Sequence, residues 1–124
     1  MKVKLAYGDN SLEVDLPDDR TTVITPLDQP GLPDEEGSFR AALDAPIGAG
    51  ALRDRVGGGE RICIVFTDIT RATPNERIIP WLLSYLSAAG VRPEQITLLN
   101  ALGTHRPNTA EELSKMLTPA VVRD

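Results

Sequence analysis

Two short strings in this sequence hold residue types able to do chemistry at a small-molecule site: Asp68-Ile69-Thr70-Arg71 and Gly103-Thr104-His105-Arg106. Together they supply a carboxylate, an imidazole and two guanidinium groups. An imidazole titrates near neutrality, so it can take up and return a proton under ordinary conditions. A guanidinium is a planar fork that captures a carboxylate through two parallel bonds. The combination suits a 2-hydroxy or 2-oxo acid, with arginine on the carboxylate and His105 moving the hydroxyl proton. Arg71, Asp68 and Arg106 are the candidate substrate contacts, and His105 is the candidate acid–base residue. Each also has a structural use. Asp68 can close an Asx turn onto Thr70 or Arg71, or pair with Arg71. His105 can be a hydrogen-bonded turn residue, and Arg106 a solvated charge. The joint placement of the four favours the chemical reading, and the hydroxyls of Thr67, Thr70 and Thr104 can donate to an anion or orient the charged groups.

What positions these strings is an α/β alternation. Ile62-Cys63-Ile64-Val65-Phe66 is an unbroken apolar run, the pattern of a strand covered on both faces. Thr73-Pro74-Asn75-Glu76 then reads as a capping box with proline in the first helical position. Ile78, Ile79, Leu82, Leu83 and Leu86 recur at helical spacing, with Pro80 bending that helix or marking its proper start. Gly90 supplies a left-handed cap over which Val91 can close. Ile96-Thr97-Leu98-Leu99 is the next strand, and Thr109-Ala110-Glu111-Glu112 repeats the capping box at the start of a helix through Leu117. Thr118-Pro119 opens one more helix, which stops at Asp124. Strand–helix–strand connectivity predicts two parallel strands. Ligands bind beyond the carboxyl ends of such strands, where both strings lie. The capped helix N-termini add partial positive charge at that rim, favouring a small carboxylate or phosphate.

The first half is different in kind. Val3, Leu5 and Tyr7, then Leu12, Val14 and Leu16, alternate around Gly8-Asp9-Asn10, which predicts a β-hairpin with one buried face. Thr21 to Thr25 is β-branched enough for a further short strand, so residues 1–25 form an appendage. Residues 26–37, rich in Pro, Gly and acids, read as a linker. Short helices are expected over Ser38 to Ala45 and Leu52 to Val56. The Gly57-Gly58-Gly59 run follows a helix and precedes a strand, the reverse of a phosphate cradle, and reads as a connector. The fold class is α/β: a Rossmann-like parallel sheet with flanking helices, preceded by an N-terminal hairpin.

Composition narrows the partners. The 124 residues fit one domain, and a formal net charge of −5 argues against nucleic acid or anionic lipid. The longest apolar run is far shorter than the about 20 residues a membrane span needs, and the first residues lack a signal-peptide core. A cytoplasmic protein is therefore expected. Cys63, the only cysteine, is expected in the core, and neither it nor the single His105 can complete a metal site of the usual kind. No GxGxxG fingerprint is present, and no residue is assigned to a cofactor. A non-catalytic domain that binds a small carboxylate or phosphate is the alternative to an enzyme.

Phe66-Thr67-Asp68-Ile69-Thr70-Arg71-Ala72-Thr73-Pro74-Asn75-Glu76, followed by Ala101-Leu102-Gly103-Thr104-His105-Arg106-Pro107, resembles the N-terminal domain of the nickel-pincer lactate racemases. The likeness runs over nearly the whole chain, and the two strings in this order make it specific. The resemblance implies an enzyme interconverting the enantiomers of lactate, or of a related 2-hydroxy acid, through a pyruvate-like intermediate. It implies a cofactor, a nickel-bound pyridinium-3,5-dithio mononucleotide tethered to a lysine, that takes and returns hydride. Two histidines would serve the two enantiomers, and His105 matches one of them. Arg71 matches a substrate-facing arginine, and Asp68 the acid that positions that arginine or the cofactor. The second histidine, the tether lysine and the metal-ligating histidine have no match here: Lys2, Lys4 and Lys115 fall in no corresponding motif. The resemblance thus implies residues 1–124 as the N-terminal domain of a longer protein, a half-site that is inactive alone and is completed by a C-terminal domain.

Overall fold

The computed structural model describes residues 1–123; Asp124, where the last helix was expected to stop, lies outside the described residues. The chain forms two compact units, Met1–Gly31 and Leu32–Asp124. No helix among the described residues is long and apolar enough to cross a membrane.

In the first unit, β1 (Lys2–Tyr7) and β2 (Asn10–Asp15) pair antiparallel with Val3 opposite Val14 and Leu5 opposite Leu12. The hairpin is the expected one, but its apolar face is not buried: Leu5, Tyr7 and Leu12 are exposed. Two strands alone have no second layer to cover a face. Residues 21–25 form no strand and remain extended coil.

The second unit opens with α1 (Glu35–Asp44), which takes the last residues of the expected linker. Asp34 starts it early because its carboxylate accepts the Gly37 N–H at 2.8 Å, a cap missed in the acidic run. The expected helix at 52–56 is one short 3-10 turn, Leu52–Asp54. The glycine run that follows is a connector whose Gly58 and Gly59 N–H groups are taken by the Glu60 carboxylate at 3.0 and 3.1 Å.

Strands β3 (Ile62–Thr67) and β4 (Ile96–Ala101) then pair in parallel, Ile62 with Ile96 through Thr67 with Ala101. At their amino ends Gln95 donates to the Glu60 carbonyl at 2.9 Å, fixing the register far from the site. Ile64 and Phe66 point inward against Ile79 and Leu86 of α2 (Asn75–Ala88) and Met116 and Leu117 of α3 (Ala110–Arg123), with Val91 closing the cluster. Burying each large side chain of this set stabilises by about 1.5–3 kcal/mol.

Only one face of the sheet is covered, which corrects two expectations. Val65 and Leu99 are paired neighbours that remain more than half exposed, and Cys63 is exposed rather than in the core. The outward row, Cys63, Val65 and Thr67 beside Thr97, Leu99 and Ala101, contains no charged residue. Both helices sit on the opposite face, so the apolar run reports a strand with only half its cover supplied by these elements.

The helix ends differ from one another. Thr73 does not cap α2: Pro74 lies at the boundary with ψ 63° and no side chain closes the first turn. Asn75 faces inward instead and donates to Thr67. Helix α2 continues through Pro80, leaving the Glu76 carbonyl without its usual donor. At α3 the capping box forms as expected, Thr109 Oγ1 accepting from Glu112 N at 3.2 Å and Glu112 accepting from Thr109 N at 2.8 Å. Thr118, forced out of helical geometry by Pro119, breaks α3 at φ 73° and marks the expected new helical start.

Gly90 ends α2 with φ 88°, Gly90 N donating to Ser87 O and Val91 N to Leu86 O, both at 3.0 Å. This is a Schellman cap, and it carries Val91 into the core. Gly90→Ala is expected to cost about 1–2 kcal/mol through the left-handed backbone alone, measured as a lower urea midpoint with an unchanged m-value.

Candidate active site

Each chemical string is a tight turn leaving a strand. Arg71 N donates to Asp68 O at 3.2 Å after β3, and His105 N donates to Leu102 O at 3.0 Å after β4. The second turn needs Gly103, whose φ of 58° side chains rarely adopt. Because Thr67 and Ala101 are paired neighbours, the two turns start side by side.

That adjacency brings Asp68 and His105 together. His105 Nδ1 lies 2.6 Å from Asp68 Oδ2, and the Thr70 hydroxyl donates to Asp68 Oδ1 at 2.9 Å. Asp68 is 3% exposed whereas the His105 side chain is 43% exposed, so the buried acid holds an imidazole that solvent and ligand can reach. An ionised carboxylate only accepts hydrogen bonds, so Nδ1 is the donor in this contact. The His105 bond holds the Asp68 carboxyl below the usual carboxylate range, against the opposing effect of burial and with help from Thr70. This is the arrangement of an oriented general base, in which a carboxylate fixes the tautomer and stabilises the imidazolium.

The other candidates fall differently. Asp68 is buried, and its two oxygens are engaged by His105 and Thr70. Arg71 is exposed and forms no ion pair among the described residues, neither with Asp68 nor elsewhere. Arg106 is committed: Nη1 and Nη2 donate to the two Glu112 oxygens at 2.9 and 2.7 Å, and Nη1 also reaches Pro107 O. Of the threonines, Thr70 has the orienting role. Two functional residues were missed. Asn75 is 3% exposed and ties the start of α2 to Thr67, the residue before Asp68. Glu112 was legible as a helix cap, but its second use on Arg106, six residues back, leaves no periodic signal. Among the described residues no group of three His, Cys, Asp or Glu side chains is placed to hold a metal ion, so a nickel ligand set does not fit here.

The fold and the turns define an α/β module with a hydrogen-bonded Asp68–His105 pair at the carboxyl ends of two parallel strands. The chain belongs to the lactate racemase N-terminal domain family, whose model matches residues 7–124. It is 31% identical over 114 residues to the lactate racemase of Thermoanaerobacterium thermosaccharolyticum, an alignment covering 90% of this chain and 26% of that protein. It is 33% identical over 115 residues to the lactate racemase of Lactiplantibacillus plantarum, covering 81% and 27% respectively. The solved lactate racemase apoprotein from T. thermosaccharolyticum superposes on all of this chain and 28% of its own, with a TM-score of 0.74 at 28% identity. The chain thus spans about a quarter of the length of the curated relatives it matches.

The depressed carboxyls make folding pH-dependent. Asp68 is lowered by the His105 hydrogen bond, and Glu112 is lowered to about 2, first by Arg106 and then by the Thr109 N–H and Asn108. A carboxyl whose folded pKa is depressed stabilises above its unfolded value and loses that contribution as pH falls through the folded one. Urea midpoints of the chain are therefore expected to fall as pH drops from the ordinary carboxylate range towards 2. Asp68→Asn is expected to unfold more easily at pH about 7 and to show a flatter acid dependence, the difference from the parent shrinking on acidification.

Proposed function

We propose that this chain supplies one catalytic wall of a lactate-racemase-like enzyme acting on lactate or a related 2-hydroxy acid. The observation that carries the reading is the 2.6 Å Asp68–His105 contact, which leaves a half-exposed imidazole on the strand-end rim that also carries Arg71, without an ion pair among the described residues. Arg71 binds the substrate carboxylate in a bidentate fork. His105 takes the proton of the C2 hydroxyl from one enantiomer, or returns it when that enantiomer is re-formed, and a second acid–base group on the opposite wall serves the other enantiomer. Asp68 is the positioning residue that holds the imidazole in the required tautomer, and Arg106 braces the loop rather than touching substrate.

Racemisation also requires a hydride acceptor for the C2 hydrogen, the chemistry a nickel-pincer nucleotide supplies when bound. The ligands and tether for such a group belong to residues other than those described here. The partner in this reading is the further chain that family members of full length carry, a C-terminal domain packed on the uncharged outer row of β3 and β4. Two features support that assignment: the row carries no charge and exposes Val65 and Leu99 in a sheet type normally buried on both sides, and the matched relatives are about four times as long. Cytoplasmic residence is part of the same proposal, on the strength of the lone, unpaired cysteine.

In a protein of family length carrying this domain, His105→Ala is expected to lower kcat for lactate racemisation by about 10²-fold or more, the usual worth of a general base. Undiminished turnover by that variant would refute the assignment. Calorimetric titration of the isolated chain with lactate, pyruvate and inorganic phosphate examines the anion-binding reading separately. Weak saturable binding of the two carboxylates, lost in Arg71→Ala, is the expected result; binding that ignores Arg71 would remove it from the substrate site.

A further inference from the structure

Arg106 and His105 are adjacent in sequence, and both have reason to seek the same carboxylate. Asp68 is the one buried carboxylate among the described residues, and its charge acts on Arg106 as well as on His105. A guanidinium is a permanent cation with a fork that matches a carboxylate, whereas an imidazole near neutrality is charged only part of the time. An arginine with no other acid to hold it is therefore a competitor of the histidine for that charge.

Arg106 is held instead by Glu112. Its two oxygens receive Arg106 Nη2 at 2.7 Å and Nη1 at 2.9 Å, Thr109 N at 2.8 Å and Asn108 Nδ2 at 3.2 Å. The side chain is only 23% exposed, and it is fixed at the first turn of α3 by its own N–H to Thr109 Oγ1 at 3.2 Å. Ordinary capping uses one Glu oxygen for one backbone N–H. Here the same carboxylate also receives the guanidinium through both of its oxygens.

We propose that Glu112 is a positioning residue that sequesters Arg106 and so reserves Asp68 for His105. The inference rests on the reading of Asp68 and His105 as the acid–base pair, but the contact it concerns is intrinsic to this chain. Glu112 thereby acts on the imidazole through two intermediaries without touching substrate. The Gly103–Asn108 loop becomes a charge-sorting device, with each cation directed to its own acid.

The test is a mutant cycle on the 124-residue chain, read by ¹⁵N-edited NMR of the His105 ring. The parent is expected to show one dominant neutral tautomer, protonated at Nδ1. Glu112→Gln keeps shape and a cap acceptor but removes the charge, freeing Arg106 for Asp68. The ratio of Nδ1-protonated to Nε2-protonated ring should then drop by roughly tenfold, the worth of one charge-assisted bond. Arg106→Gln alone should leave the ratio as in the parent, and the double variant Arg106→Gln/Glu112→Gln should restore it. An unchanged ratio in Glu112→Gln overturns the proposal. Failure of the double variant to restore the ratio also overturns it, since that would mark Glu112 as a structural cap only. Because no turnover is measured, these outcomes are independent of whether His105→Ala abolishes racemisation.

Discussion

The arrangement of this site depends on the parallel register of two strands. Thr67 opposite Ala101 is the last pair of the β3–β4 ladder, and the chain turns sharply after each. A one-residue slip would reverse which side chains of one strand face inward and move its exit turn relative to the other. The apolar residues resist such a slip, because Ile64 and Phe66 must meet α2 and α3 while Val65 and Leu99 share the other face. Core packing thus sets where the Asp68 carboxylate and the His105 ring emerge, and their 2.6 Å contact follows from it.

The electrostatics of the rim follow from pairing rather than from net charge. The chain is acidic overall, at −5, yet its proposed substrate is an anion. Asp68 is screened by burial and by His105, and Glu112 is neutralised by Arg106, so neither carboxylate presents a free charge to the rim. Arg71 remains without an ion pair among the described residues. In the proposed reading one guanidinium on this rim suits a small monoanion better than a polyanion such as nucleic acid, whose capture draws on many cations at once.

What was legible in the sequence was whatever local chemistry dictates. The two strands, the helix over Ile78–Leu86, the Gly90 cap and the Thr109–Glu112 box all arise from spacings within a few residues, and all are present. The grouping of Asp68 with His105 was accessible as well, because topology alone brings strand ends together. What failed was anything that depends on the other side of an element. The run Ile62–Phe66 reads as doubly covered, but whether a second layer exists is not written in the run itself. Thr73 had the right neighbours for a cap, yet Pro74 with ψ 63° displaced the helix start by one residue and turned Asn75 inward. Arg106 looked as available for substrate as Arg71, since its partner Glu112 was already accounted for as a cap.

The uncharged outer row and the one-sided site are two aspects of the same incompleteness. Cys63, Val65 and Thr67 run up one strand, and Thr97, Leu99 and Ala101 up its neighbour, ending where Asp68 and His105 begin their turns. A layer laid on this row would reach the rim from the face opposite α2 and α3. It would exclude water from the pair and face the exposed edge of His105 across a cleft. Acid–base work on both faces of a C2 carbon requires a second group on the far side of the substrate, which one wall cannot provide. In the proposed reading, the uncharged row and the open side of the Asp68–His105 pair meet along one edge of the sheet, so that a single docked domain would cover the one and face the other.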